Sequence, residues 1–123
     1  MAEIKLGPEA QQILMELQTF QQQMQTVMLQ KESLNIQNME IEKALEELGK
    51  TTHDDVYKAV GPILIKSTRK DLEKDLSEKK ETIDLRLKSL QKQETRLKEK
   101  MKESQEKFEE MLKGQGKFET TAE

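Results

Sequence analysis

Twice in this chain, apolar residues recur at alternating steps of three and four, and no other feature limits its possible folds so strongly. The first run places Ala10, Leu17, Met24, Lys31, Asn38 and Leu45 at one heptad position, with Ile13, Phe20, Val27, Leu34, Ile41 and Leu48 at the other. The second places Leu76, Ile83, Leu90, Leu97, Ser104 and Met111 at one position, with Glu73, Lys80, Leu87, Glu94, Met101 and Phe108 at the other. A repeat of about 3.5 residues keeps one stripe of a helix turned toward a partner helix, so both runs read as coiled-coil helices. Composition requires such a thin core. With 33% hydrophobic, 37% charged and 3% aromatic residues in 123, the chain is too lean for an ordinary globular interior.

Local signals set the helix limits. Gly7-Pro8-Glu9 is a helix start, with proline near the first turn and an acid beside the positive end of the dipole. Gly49 fits the left-handed residue that closes a helix. The first helix is therefore expected over residues 8–49, roughly 60 Å at about 1.5 Å per residue. A connection over 50–68 follows. Thr68 and Asp71 have capping-box spacing, with Ser67 as an equally good cap, so the second helix is expected over 69–113. Gly114 and Gly116 are expected to end it, leaving a frayed tail over 114–123.

Between the helices lies the densest run of β-branched residues in the chain, residues 56–66. Val56, Val60, Ile63 and Ile65 favour the pleated state, and Gly61-Pro62 supplies a reversal, which together predict a β-hairpin. Two strands alone are marginally stable in water. The flanking segments contain no further strand, so the missing sheet is expected from other chains.

A short connection makes the second helix fold back antiparallel to the first. The seam then sets a register in which Leu45 faces Leu76, Ile41 faces Lys80, Asn38 faces Ile83, Val27 faces Glu94, Phe20 faces Met101 and Ile13 faces Phe108. Lys80 and Glu94 are expected to rest their stems on apolar neighbours while their charges reach water, and Asn38 to be costly unless bonded. Away from the hairpin, apolar residues exceed what a two-stranded seam buries. Ile4, Leu6, Ile13, Leu14, Phe108, Met111, Leu112 and Phe118 form the candidate binding tip, with Met15 nearby. Met28, Leu29, Ile36 and Met39 also fall off the seam.

Several functions are disfavoured by the residue inventory. A net charge of -3 gives no basic face for nucleic acid, and Arg69, Arg86 and Arg96 each have acids close by in sequence. Without cysteine there is no thiol nucleophile and no thiolate metal site, and His53 is a single histidine in polar turn material. No apolar run approaches the roughly 20 residues of a membrane span. There is no phosphate loop and no paired histidine, so neither an enzyme nor a metal or cofactor site is expected. A structural tether and a helical nucleic-acid-binding arm are the competing classes; the first needs no hairpin and the second needs a basic stripe.

Val56-Tyr57-Lys58, then Gly61, then Leu64-Ile65-Lys66, set between two heptad helices of matching length, resembles the β-class subunit of prefoldin, in its archaeal form. The resemblance covers essentially the whole chain. It implies an ATP-independent cytoplasmic chaperone, a hexamer of two α-class and four β-class subunits, without a cofactor. Val56, Tyr57, Lys58, Val60, Gly61, Ile63, Leu64, Ile65 and Lys66 would join a β-barrel between subunits. Non-native proteins would be held at the helix tips and passed to a group II chaperonin.

Overall fold

The computed structural model describes residues 6–121 of the chain, with side chains as far as Gly114. Four elements follow one another: α1 (Pro8–Lys50), β1 (Asp55–Val60), β2 (Ile63–Thr68) and α2 (Arg69–Thr121). The fold is mainly helical, with one two-stranded antiparallel hairpin between two long helices.

Each helix starts on a cap that its sequence supplies. The Gly7 carbonyl accepts the first helical bond of α1 from the Gln11 amide at 3.0 Å, which puts Pro8 where its missing N–H costs nothing. Thr68 closes β2 and caps α2 at once, because its Oγ1 accepts from the Asp71 amide at 3.2 Å. No residue is spent on a linker there. Arg69 then holds the two sides of the connection together: its amide donates to the Asp54 carbonyl at 3.0 Å and its guanidinium to the Thr51 carbonyl at 3.1 Å.

The glycines behave differently from the sequence reading. Gly49 does not take up a left-handed conformation, since Gly61 is the one described residue with positive φ, and α1 continues through it to Lys50. Nor does Gly114 end α2, which runs on to Thr121. Glycine costs a helix about 1 kcal/mol relative to alanine but, unlike proline, forfeits no hydrogen bond, so helical neighbours carry the backbone through.

The helices gather into two compact units, one from the described part of Met1–Leu29 with Gln91–Glu123 and one from Gln30–Leu90. In the first, Ala10, Ile13, Leu17, Val27 and Leu97 are buried, as are Glu94 and Ser104. Glu94 departs from expectation. Its side chain is only 8% exposed, and its carboxylate pairs with the exposed Lys98 ammonium one turn on at 3.1 Å, which lets the charge be tolerated at a buried position. In the second unit Ile41, Ile83 and Leu90 are buried and the hairpin continues from the helices. Here direct bonds display the antiparallel pairing. Asn38 donates to Asp84 at 2.7 Å and Lys80 to Glu42 at 3.1 Å, so later positions on α1 meet earlier ones on α2. In both units every seam position is buried or half-buried, while most positions between them are exposed.

Candidate functional site

The hairpin is the element whose surface its own chain leaves least satisfied. Its register pairs Val56 with Ser67, Lys58 with Ile65 and Val60 with Ile63 on one face, and Tyr57 with Lys66 and Ala59 with Leu64 on the other. Gly61 takes φ of 58°, and Pro62 follows with its ring-fixed negative φ. That order of signs is the one a two-residue type II′ turn needs, and it matches the twist of the strands it joins.

Both faces carry apolar side chains into solvent. Leu64 is 71% and Tyr57 63% exposed on one face; Ile63 at 56%, Ile65 and Val60 stand out on the other. A sheet that is apolar on both faces calls for cover on both, and packing against its own helices could supply only one. Its outer edges also present unpaired backbone groups, which template further strands. Around this surface Lys66 is paired with Asp55 at 3.4 Å, and Lys58 is exposed amid Val60, Ile63 and Ile65. All nine hairpin residues singled out from sequence thus lie on one element, with Val56 half-buried at its base.

The sequence-derived tip is only partly an exposed surface. Leu14 is exposed, and Met15 beside it is 68% exposed. Leu6, Phe108, Met111 and Leu112 are half-buried. Ile13 is buried, because it occupies the seam. Ile4 lies outside the described residues, and the side chain of Phe118 lies outside those described.

Further exposed apolar side chains follow α1. Leu29, Met28, Ile36 and Met39 are all exposed, at positions legible as off-seam; Leu85 on α2, off the seam between Ile83 and Leu87, is 62% exposed as well. Sequence reasoning missed an open hollow of about 330 Å³ between the helices and β1 in the Gln30–Leu90 unit, lined by Ala44, Glu47, Leu48, Thr51, Val56, Tyr57, Leu72 and Leu76. No sequence spacing announces it, since it forms where the two helices and a strand converge.

Two charged groups at the seam, Lys80 and Asp84, are shifted from their ordinary values. Asp84 is held below the usual carboxylate range, first by the hydrogen bond from Asn38 and then, against desolvation, by Lys80. Lys80 is held above its ordinary value, chiefly by its bond to Glu42, with Asp84 adding to it. These groups pair with one another and point to structure rather than chemistry. Among the described residues no group of three or more histidine, cysteine or acidic side chains is placed to hold a metal ion. Nor, among them, is any helix long and apolar enough to cross a membrane.

Comparison with known proteins adds an independent line. The family model described as "Prefoldin subunit" matches residues 11–115. The chain is 45% identical to the prefoldin subunit beta of Archaeoglobus fulgidus over 91 residues, 73% of this chain and 78% of that one. It is 41% identical to the prefoldin subunit beta of Pyrococcus furiosus over 90 residues, 72% of this chain and 77% of that one. Among solved structures, the prefoldin beta subunit from Thermococcus strain KS-1 superposes with a TM-score of 0.81 at 36% identity, covering 89% of this chain and 97% of that one.

Proposed function

Because the chain belongs to the prefoldin family, among its β subunits, we propose that it is the β subunit of an ATP-independent cytoplasmic chaperone that captures non-native proteins. In this reading it assembles with further β-class copies and an α-class partner as an α2β4 hexamer. The hairpins join in a barrel, and clients are passed to a group II chaperonin. The observation that carries the reading is the hairpin between α1 and α2, apolar and exposed on both faces and unable to complete a sheet within its own chain.

Client contact is assigned to the chain-terminal parts of the helices. Leu6, Leu14, Phe108, Met111 and Leu112 offer the surface, Ile13 supports it from the seam, and Ile4 and Phe118, outside the described side chains, are assigned the same role. Exposed contiguous apolar surface is costly on its own and marks a place for a partner. Methionine suits yielding contacts with varied sequences. Each contact is weak, but several subunits gripping one client raise apparent affinity by about 10² to 10⁴ without new contacts.

The test removes residues 1–6 and 108–123, leaving the hairpin and most of the seam. The mass of the complex with an α-class partner should persist while suppression of aggregation of a chemically unfolded protein is lost. A truncated complex that holds unfolded protein as well as the intact one refutes the tip assignment. An intact complex that fails to slow aggregation at all refutes the chaperone reading and favours a structural tether.

A further inference from the structure

We propose that the outer side of α1 between Met15 and Leu29 is a binding strip for an extended, weakly charged stretch of non-native polypeptide, whose open backbone is bonded by glutamine amides. The inference rests on the reading that the helix tips capture clients, and it says what a captured chain meets next along the helix. Met15, Gln18, Gln22, Gln25 and Leu29 recur at alternating steps of three and four, as the seam residues do, but they fall off the seam and are all exposed. Met15 and Leu29 close the strip at its two ends, 68% and 66% exposed. Between them, none of the three amides bonds another group among the described residues. The strip therefore offers apolar anchors and free hydrogen-bonding groups in one row.

Charge tells the strip apart from the rest of its unit. From Leu17 to Gln30 the sequence holds no charged residue, in a chain that is 37% charged. On α2 in the same unit, Lys98, Glu99, Lys100, Lys102 and Glu103 are all exposed. A charged segment would find no answering charge on the strip and would shed hydration to lie there, whereas an uncharged one loses little. A side-chain amide both donates and accepts, so it answers backbone N–H and C=O groups alike. An extended, non-native chain leaves those groups open, while a folded protein has paired them. The strip thus reads the unfolded state of its occupant and not a particular sequence. It runs about 21 Å at about 1.5 Å per residue, room for about six extended residues at about 3.3 Å each. Hydrogen bonds exchanged with water gain little singly, so the strip adds to the hold on a client already gripped at the tip and still lets it go.

Capture of a chemically unfolded protein by the full chain assembled with an α-class partner tests this. The variants are Gln18→Ala/Gln22→Ala/Gln25→Ala and Gln18→Glu/Gln22→Glu/Gln25→Glu on α1, with Gln93→Glu/Gln105→Glu on the exposed side of α2 as control. All place good helix formers at exposed positions, so helicity by circular dichroism and mass by sedimentation should match wild type. Each α1 variant should raise the concentration of complex that halves aggregation by about tenfold, the scale of a few weak bonds lost, and the control should leave it unchanged. An uncharged fluorescent peptide should bind the wild-type complex more tightly than the same peptide N-methylated along its backbone, and the alanine variant should lose that preference. The proposal is overturned if the alanine variant captures as well as wild type or better, because the strip would then be merely apolar. It is overturned equally if the control loses as much as the α1 variants, or if the N-methylated peptide binds wild type as tightly as its parent. A wild-type complex that fails to slow aggregation at all overturns the chaperone reading together with the strip, whereas normal capture by wild type and α1 variants alike removes only the strip.

Discussion

Asn38 occupies a seam position where a coiled coil gains most from an aliphatic side chain. Its amide nitrogen is well used, bonded to Asp84 at 2.7 Å, but its Oδ1 is buried with no hydrogen-bond partner. An unsatisfied buried acceptor costs about 1–3 kcal/mol. Replacing Asn38 by Leu should raise the thermal midpoint, because it removes the stranded acceptor and adds apolar burial in the seam against one lost bond to Asp84. A lower midpoint for Asn38→Leu would mean that the bond to Asp84 outweighs the stranded oxygen. The same bond carries a pH dependence. Because Asp84 releases its proton more readily folded than unfolded, its contribution is present above the ordinary carboxylate value and is lost as pH falls below it. Melts followed by circular dichroism should show wild type losing stability below about pH 4 more steeply than Asp84→Asn. Parallel profiles would show that Asp84 has no part in acid sensitivity.

Among the elements, the hairpin depends on one backbone conformation. Gly61 sits at φ of 58°, a region that costs a residue with a Cβ roughly 1–2 kcal/mol, although nothing crowds the place where that atom would go. Gly61→Ala should thus destabilise the hairpin by about 1 kcal/mol through backbone strain alone. Assembly should weaken while helicity stays near wild type, measured by sedimentation and circular dichroism on the same samples. Unchanged association would show that the turn relaxes to another type at no cost. Arg69 has the complementary role of tying β2 and the start of α2 back to the exit of α1 through Thr51 and Asp54. It pins the connection that decides which heptads of the Gln30–Leu90 unit meet.

At the scale of the whole molecule, assembly should rest on the hairpin rather than on the helices. The helices bury their seam within the chain, whereas Ile63 and Ile65 remain about half exposed, at 56% and 47%. Replacing both by Asp should place charges where another subunit would bury them, leaving a helical species of smaller mass. The same oligomer in sedimentation after that change would move the assembly surface elsewhere. With a net charge of -3 spread over interspersed acids and bases, association and client capture should change little with added salt.

Periodicity and turn chemistry were enough to read the helices, the hairpin and the seam from residues alone. Coiled coils and two-residue hairpins are local codes, and Ile41, Ile83, Gly61-Pro62 and Thr68 each act within a few residues of chain. Resemblance around Val56-Tyr57-Lys58 then pointed to the family. What local codes could not decide was how polar groups settle once two helices meet. Glu94 is buried and paired with Lys98, and Asn38 bonds Asp84, because the partner helix sets the depth of each side chain. Ile13 likewise belongs to the seam, which a count of apolar residues near the chain end cannot reveal. The hollow beside Glu47 has the same origin: Ala44, Val56 and Leu72 are far apart in sequence, and only the convergence of two helices and a strand brings them around one space.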